Sequence, residues 1–182
     1  MTTEGRLLRR DVLYTGKVVD LVVDRIALPS GREGVREIAR HPGGAVIVPL
    51  FDDGSVLLVE QLRYPVGKRL LELPAGKRAP GEEPASAARR ELEEETGYQA
   101  GRIERLLAFY TTPGFCDEEL HLFRALDLRA VPGGPRREEG ERSMTLHRMP
   151  LDQACALIEE ERIADAKTII GLLLARSGAR SG

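Results

Sequence analysis

Three glutamates in the middle of the chain have the spacing of a possible metal site. Glu91, Glu94 and Glu95 precede Gly97, and a helix of 3.6 residues per turn would bring all three within an arc of about 100°. Carboxylates three and four positions apart repel each other, and acidic side chains are unfavourable at the carboxyl end of a helix. A hard divalent cation would relieve this repulsion, and Mg²⁺ characteristically combines a few carboxylates with phosphate oxygens. The alternative is a solvated acidic helix end, which is what most glutamate runs are.

The segment that carries these glutamates has the sequence signals of a helix. Pro84 opens the segment and Gly97 follows its last residue, as is typical of helix starts and ends. Glu82 stands just before the helix, where its carboxylate could supply a further oxygen ligand. A separate stripe is predicted to face the core, and it consists of Ala85, Ala88, Leu92 and Thr96.

The segments around the helix predict an α+β domain in which helices cover a mixed sheet. Apolar and alternating runs predict strands at residues 18–28, 35–40, 45–50, 56–62, 103–111, 120–126 and 144–149. The first two strands would form an N-terminal β-hairpin, and residues 131–141 would form a loop. Two helices are predicted at 151–161 and 165–176, with Asp165 as the N-cap of the second.

Composition and charge exclude several functional classes. The 182 residues carry 27 basic and 29 acidic side chains, and the net charge of −2 gives no reason to expect nucleic acid or an anionic membrane as partner. No apolar run reaches the ~20 residues of a membrane span, and the first residues lack the apolar core of a secretory signal. We therefore expect a cytoplasmic protein in which Cys116 and Cys155 are reduced.

A longer pattern around the helix resembles the Nudix hydrolase family. Gly76 is followed after five residues by Glu82 and after seven more by Arg90-Glu91-Leu92, and Glu94-Glu95 and Gly97 complete the motif within GKRAPGEEPASAARRELEEETGY. The one departure is Tyr98, which stands where the family has an aliphatic residue. The resemblance implies an α/β/α sandwich, with a mixed β-sheet between helices, and a hydrolase of nucleoside diphosphates linked to another group.

The resemblance also implies the ligands of a divalent metal. Glu91, Glu94 and Glu95 would bind the metal and take part in catalysis, with Glu82 and the carbonyl of Ala75 as supporting ligands. Two or three Mg²⁺ ions are expected, with Mn²⁺ or another divalent ion as an alternative, and Arg90 would orient a neighbouring glutamate.

Segments outside the motif resemble the ADP-ribose pyrophosphatase branch of the family. They are LELPAG before the motif, TTPGFCDE after it, and the N-terminal pattern GKVVDLVVD, LPSG and REIARHPG. The branch implies hydrolysis of ADP-ribose to AMP and ribose 5-phosphate. By position, Arg63 would contact the diphosphate, and Glu72 and Glu118 would contact ribose or order a loop.

The branch further implies an assembly. Arg36 and Glu37 match positions that help to hold adenine and that come from the partner subunit of an arm-exchanged homodimer. Residues 1–42 would be the N-terminal β arm that forms the dimer, and residues 43–182 would be the hydrolase domain.

The catalytic base and the substrate remain open at this level. Glu141 is the first choice for a base and Glu139 the second, and Glu91 or Glu95 acting on water is a third possibility. The loop departs from the family pattern at Arg142 and Ser143. Alternative functions are hydrolysis of a sugar nucleotide or dinucleotide, a noncatalytic nucleotide sensor, and a structural dimerisation module.

Overall fold

The computed structural model of the chain describes residues 5–137 and 139–179. Its strands are β1 (Arg6–Thr15), β2 (Asp20–Ala27), β3 (Glu33–Arg40), β4 (Gly44–Pro49), β5 (Ser55–Arg63), β6 (Lys68–Glu72), β7 (Ala75–Lys77), β8 (Tyr98–Tyr110), β9 (Glu119–Ala130) and β10 (Thr145–Pro150). Its α-helices are α1 (Pro84–Thr96), α2 (Leu151–Glu159) and α3 (Ala166–Ala179). The α+β class predicted from the sequence is confirmed.

The chain divides into two compact units, which we describe separately. The N-terminal unit comprises Met1–Gly43 and Phe109–Glu119, and the main unit comprises Gly44–Ala108 and Leu120–Gly182. The sequence analysis placed one boundary between residues 42 and 43, which stays a prediction, and it did not anticipate that residues 109–119 join the N-terminal unit. No helix in the described part of the chain is long and apolar enough to cross a membrane.

The core of the main unit is built around β4. This strand is buried along its whole length, and it pairs with β9 in parallel and with β7 in antiparallel orientation, so the sheet β7-β4-β9-β8 is mixed. Ala45 and Ile47 pack with the buried residues of α1, whereas Val48 faces α3 at Gly171. Since alternate side chains of a strand point to opposite faces, α1 and α3 cover opposite faces of the sheet, as a sandwich requires.

The second sheet of the main unit has the order β10-β5-β6 and is antiparallel throughout. Its register places Val59 opposite Glu72 and Arg63 opposite Lys68. The end of β5 and the end of β6 therefore carry two residues, Arg63 and Glu72, that the family resemblance assigned to substrate binding. The sequence analysis did not predict β6 or β7, because both strands are short and interrupted by charged or glycine residues.

The N-terminal unit contains the antiparallel sheet β1-β2-β3. The predicted hairpin corresponds to β2 and β3, but the arm has a third strand, β1, that the sequence analysis missed. Nine of the ten residues of β1 are exposed, so the strand has no buried face that would impose an alternating pattern. Asp24 in β2 is buried and accepts two hydrogen bonds of 2.7 Å from Arg10 in β1, which ties these strands together.

Helix α1 matches the sequence prediction at both ends. Pro84 is its first residue, and Gly97 ends it in the left-handed conformation with φ of 73°, which L side chains rarely adopt. The predicted core stripe is correct at Ala88, Leu92 and Thr96 and wrong at Ala85, which is exposed in the first turn while Ala87 is buried instead. Asp165 caps α3 as predicted, because its carboxylate accepts a hydrogen bond from the backbone nitrogen of Thr168 at 3.0 Å.

Candidate active site

The short strand β7 brings the glycine of the motif directly against the glutamate face of α1. A β-carbon added to Gly76 would lie 2.0 Å from Cδ of Glu91. Only glycine therefore allows the Glu91 carboxylate to approach the backbone of β7 this closely. The neighbouring Ala75 donates its backbone hydrogen to Oε2 of Glu95 at 3.1 Å. Strand β7 thus holds both glutamates at one edge of the mixed sheet.

Arg90 forms the centre of an ionic cluster on the exposed side of this face. Its guanidinium bonds Glu91 at 2.6 Å, Glu82 at 3.0 Å and Glu94 at 3.0 Å. These bonds hold the pKa of the Arg90 guanidinium above its ordinary value, with the bond to Glu82 as the largest cause. The same bond, together with one from the backbone nitrogen of Ala79, lowers the pKa of Glu82. Arg90 contacts the motif glutamates, as expected for a residue that orients them.

Glu91, which belongs to this cluster, and the neighbouring Glu95 are both buried acids. Burial is the main reason that the pKa of Glu91 lies above its ordinary value. Burial is also the main reason that the pKa of Glu95 is raised to about 8, and repulsion by Glu91 and Glu141 contributes to this rise. Arg90 pairs with Glu91 at 2.6 Å, but for both carboxyls the cost of burying a charge outweighs the interactions that lower the pKa. Such pairs are typical of functional sites.

The donor set at this face fits a divalent cation. Carboxylate oxygens are the ligands that hard cations prefer, and a cation would offset the repulsion that raises both pKa values. Within residues 5–137 and 139–179, no group of three acidic, histidine or cysteine side chains is gathered closely enough to hold a metal ion already. The carboxylates of Glu82, Glu91 and Glu94 instead pair with the guanidinium of Arg90. The ligand set therefore stays a prediction, and its occupation requires these side chains to turn from Arg90.

The segment after β9 caps the carboxyl end of α1. The backbone nitrogens of Val131 and Arg136 donate to the carbonyls of Gly97 and Glu94, each at 2.8 Å, and Nε of Arg137 donates to the carbonyl of Glu95 at 2.8 Å. These hydrogen-bond donors and the positive charges of Arg136 and Arg137 lie at the negative end of the helix dipole, where the glutamate run alone would be unfavourable.

Glu141, the first choice for the base, belongs to the same segment. Its charge raises the pKa of both Glu91 and Glu95, so its carboxylate acts electrostatically on the glutamate face. Glu139, the second choice, begins a single helical turn that ends at Glu141. The structure thus brings Glu141 into electrostatic range of the two buried acids, and the identity of the base stays a prediction.

The buried Glu72 forms ion pairs with the partly exposed Arg63 and with Lys167 of α3. Glu72 is fully buried and accepts hydrogen bonds from Nε and Nη2 of Arg63 at 2.7 and 2.6 Å, and from Nζ of Lys167 at 2.6 Å. Nζ of Lys167 also donates to Asp165 at 2.9 Å. Arg63 lowers the pKa of Glu95, which places its positive charge within range of the glutamate face. Glu72 thus orients Arg63, while its predicted ribose contact stays untested.

The remaining predicted substrate residues lie in the N-terminal unit. Arg36 and Glu37 line a cavity of about 360 Å³, together with Arg40, Phe115 and other residues of the same unit. Glu118 accepts a hydrogen bond from the Thr111 hydroxyl at 2.7 Å, and its other carboxylate oxygen lies 3.2 Å from Nδ1 of His41. Three predicted substrate residues thus occupy this unit, whereas Arg63 and Glu72 occupy the main unit.

Tyr98, which departs from the motif, packs in an aromatic contact within the main unit. Its ring meets that of Phe51 edge to face, with centroids 5.3 Å apart and planes at 88°. The guanidinium carbon of Arg148 lies 3.7 Å from the centroid of the Phe51 ring. Tyr98 thus packs its ring within the main unit, and Gly97 still ends α1.

Sequence reasoning missed two basic residues of this site, Arg137 and Lys167. Arg137 contacts Glu95 across 42 positions, and Lys167 contacts Glu72 across 95 positions. No local pattern marks either contact, because each depends on how distant strands and helices pack. The only signal was compositional, since Arg136 and Arg137 are adjacent cations in a loop next to an acidic helix end.

Comparison with known proteins identifies the family to which the chain belongs. The NUDIX domain matches residues 40–170. An ADP-ribose pyrophosphatase of Bacillus subtilis (strain 168) is 39% identical over 91% of this chain and 89% of its own length. A methanol dehydrogenase activator of Bacillus methanolicus is 40% identical over 93% of this chain and 91% of its own length. Relatives with different names are thus about equally similar to this chain.

A solved structure supports the fold. The crystal structure of an ADP compounds hydrolase superposes with a TM-score of 0.85 and covers 98% of this chain and 95% of its own. The two sequences are only 20% identical, so the likeness extends to the fold alone. It confirms the layered α+β architecture.

Proposed function

Because the chain belongs to the Nudix hydrolase family, we propose that it is a pyrophosphohydrolase that cleaves ADP-ribose with water to AMP and ribose 5-phosphate. The observation that carries the proposal is the buried pair Glu91 and Glu95, which Gly76 and the backbone nitrogen of Ala75 hold against strand β7. Burial raises the pKa of both carboxyls, and the Arg63 charge acts on Glu95. The name of the Bacillus subtilis relative, an ADP-ribose pyrophosphatase, supports the choice of substrate.

Residues of α1 and its surroundings would hold the metal. Members of this family use divalent cations, and we propose two or three Mg²⁺ ions, or Mn²⁺, held by Glu91, Glu94 and Glu95 with support from Glu82 and the Ala75 carbonyl. When bound, a divalent cation polarises the diphosphate and lowers the pKa of water. Before metal binds, Arg90 would compensate the charges of Glu82, Glu91 and Glu94, with which it forms ion pairs.

Arg63 and Glu141 would act directly on the reactants. The pair with Glu72 uses Nε and Nη2 of Arg63, so we assign the phosphate contact to Nη1. The fork of an arginine suits phosphate oxygens, and the buried Glu72 fixes its orientation. Glu141 would accept the proton of the attacking water, because its charge acts on both Glu91 and Glu95.

The N-terminal unit would bind the adenine of the substrate and form the dimer interface. Its cavity, lined by Arg36 and Glu37, is large enough for part of a nucleotide. Exposed apolar side chains are concentrated in this unit, and contiguous exposed apolar surface commonly marks an interface. They are Leu7, Leu8, Val12, Leu13, Tyr14, Val18, Leu21, Val35, Tyr110 and Phe115. We propose a homodimer with exchanged arms, in the cytoplasm, without nucleic-acid or membrane partners.

The substrate assignment is tested by incubating the protein and Mg²⁺ with ADP-ribose, NADH, a sugar nucleotide, a dinucleotide and a nucleoside triphosphate, followed by product identification. We expect AMP and ribose 5-phosphate as the products of the preferred reaction. Preferential cleavage of a sugar nucleotide or dinucleotide would replace the substrate but not the chemistry. Tight nucleotide binding without hydrolysis would instead identify a sensor, and no nucleotide affinity would leave a structural module.

Two matched pairs of variants test the residues. Glu95→Gln should abolish Mg²⁺-dependent turnover, whereas Glu83→Gln, at the exposed start of the same helix, should leave it unchanged. Glu141→Gln should lower kcat by about 10²-fold if Glu141 is the base. Glu139→Gln, in the same helical turn, serves as its control, and a larger loss in Glu139→Gln would transfer the role to that residue.

A further inference from the structure

One arginine outside the Nudix motif joins the catalytic helix to the segment that carries Glu141. Nε of Arg137 donates to the carbonyl of Glu95 at 2.8 Å, and Nη1 donates to the carbonyl of Met144. A single guanidinium therefore bridges the last turn of α1 and the residue just before β10. The side chain of Arg137 thus links the carbonyl of Met144 to the carboxyl end of α1.

The bridge extends by one further bond to the backbone of Glu141. The backbone nitrogen of Met144 donates to the carbonyl of Glu141 at 2.9 Å. Met144 is therefore hydrogen-bonded both to Arg137 and to the turn that contains Glu141. Met144 is buried, which anchors this end of the segment in the main unit. A second bond, from Nη2 of Arg69 to the carbonyl of Ser143 at 2.9 Å, holds the same turn from β6. The position of Glu141 is therefore fixed through backbone contacts rather than through its own side chain alone.

The surroundings of the guanidinium indicate a dedicated role. Its third nitrogen, Nη2, is buried and has no hydrogen-bond partner in the described parts of the chain. Burying an unsatisfied donor of a charged group costs free energy. Capping the helix end offsets part of this cost, but a smaller side chain or a solvated lysine could cap the helix without burying Nη2. A bridge of this reach requires the two separated nitrogens of arginine.

We propose that Arg137 is a positioning residue that docks residues 139–144 onto the end of α1 and thereby holds Glu141 at the glutamate face. The proposal rests on the proposed function, in which Glu141 accepts the proton. Arg137 would act through the position of Glu141, because both of its hydrogen bonds go to backbone carbonyls. The effect of Glu141 on the pKa values of Glu91 and Glu95 agrees with this arrangement.

The neighbouring Arg136 offers a matched control. Its side chain also lies at the carboxyl end of α1, but it bonds the side chain of Glu93 and is largely exposed. Arg137→Gln and Arg136→Gln each remove one positive charge from the same helix end, so their effects on the helix dipole are closely matched. Only Arg137→Gln removes the bridge from Glu95 to Met144.

The first test is amide hydrogen exchange of the full-length protein with Mg²⁺ alone. Arg137→Gln should increase the exchange rate of backbone amides in residues 131–137 and 139–144 by ~10-fold or more. This is the increase expected when hydrogen bonds from a charged donor no longer stabilise the segment. Arg136→Gln should change it by less than about twofold, because exposed ion pairs contribute little. Unchanged exchange in Arg137→Gln, or an equal increase in both variants, would overturn the docking role.

The second test is a double-mutant cycle on turnover. Arg137→Gln should lower kcat by ~10-fold or more with KM within about twofold of the wild type, and it should cause no further loss in a Glu141→Gln background. Losses that multiply would show that Arg137 does not act through Glu141 and would overturn the proposal. If the wild-type protein hydrolyses no diphosphate-linked nucleotide, the proposed function fails, while the exchange experiment still decides whether Arg137 docks the segment.

Discussion

The carboxylate of Glu91 lies against the α-carbon of Gly76, where a β-carbon would meet its Cδ at 2.0 Å. Gly76→Ala should therefore force Glu91 or β7 to move and lower the free energy of unfolding by about 1–3 kcal/mol. Chemical denaturation of Gly76→Ala, Glu91→Ala and the double variant measures the coupling. Because Glu91→Ala removes the clashing atoms, the alanine at 76 should cost much less in that background. Equal costs in both backgrounds would show that the contact does not constrain position 76.

The raised pKa of Glu95 predicts an unusual dependence of stability on pH in metal-free protein. Its folded-state pKa of about 8 lies above the ordinary value of 4.5, so between these values the folded state binds a proton that the unfolded state has released. The free energy of unfolding should therefore fall as pH rises from about 4.5 to about 8. Urea denaturation in EDTA at pH 5.5 and pH 8 should show a smaller fall for Glu95→Gln than for the wild type, with Glu83→Gln as the control. Carboxylates with lowered pKa values, such as Glu82, titrate below this window.

Stabilisation by Mg²⁺ should increase with pH, opposite to the fall in stability expected for the metal-free protein. A cation that binds Glu95 must displace its proton, so Mg²⁺ should raise the thermal unfolding temperature more at pH 8 than at pH 6. The same measurement with Glu95→Gln should show little stabilisation at either pH. A Mg²⁺ effect that is equal at both pH values and retained in Glu95→Gln would place the metal away from the glutamate face.

The buried Glu72 should be the most sensitive charge of the main unit. Glu72→Gln leaves Arg63 and Lys167 around a neutral amide, and loss of one partner in a buried ionic network costs about 3–5 kcal/mol. Glu60→Gln, which weakens a more exposed pair with Arg69, should cost less than about 1 kcal/mol. Denaturant titration distinguishes the two. Similar small costs would mean that solvent reaches Glu72 readily.

The aromatic replacement at Tyr98 should make only a modest contribution to stability. An edge-to-face pair contributes about 0.5–1.5 kcal/mol beyond its buried area, so Tyr98→Leu should be destabilising by roughly that amount. The effect should shrink in a Phe51→Leu background if the ring contact carries it. Thermal unfolding of the three variants measures this coupling. An undiminished effect would assign the cost to other contacts of Tyr98.

The helix and its acidic face could be predicted because their signals are local. Pro84 and Gly97 mark the ends of α1, and the spacing of Glu91, Glu94 and Glu95 follows from the helical repeat. The prediction for Ala85 was wrong because periodicity gives the direction of a side chain but not whether a neighbouring element covers it. Strand β1 was missed for a related reason, since its exposed residues carry no burial pattern.

The amino-acid sequence alone specified the family motif, the helix that carries it and the α+β class, because turn residues, helical periodicity and motif spacing act over short stretches of chain. Only the tertiary structure decided which charges the site contains and which of them are compensated. Arg90 engages Glu82, Glu91 and Glu94, Lys167 reaches Glu72 across 95 positions, and burial raises the pKa of Glu95 to about 8. Burial and long-range contacts set these energies, and both arise only when distant strands and helices pack together.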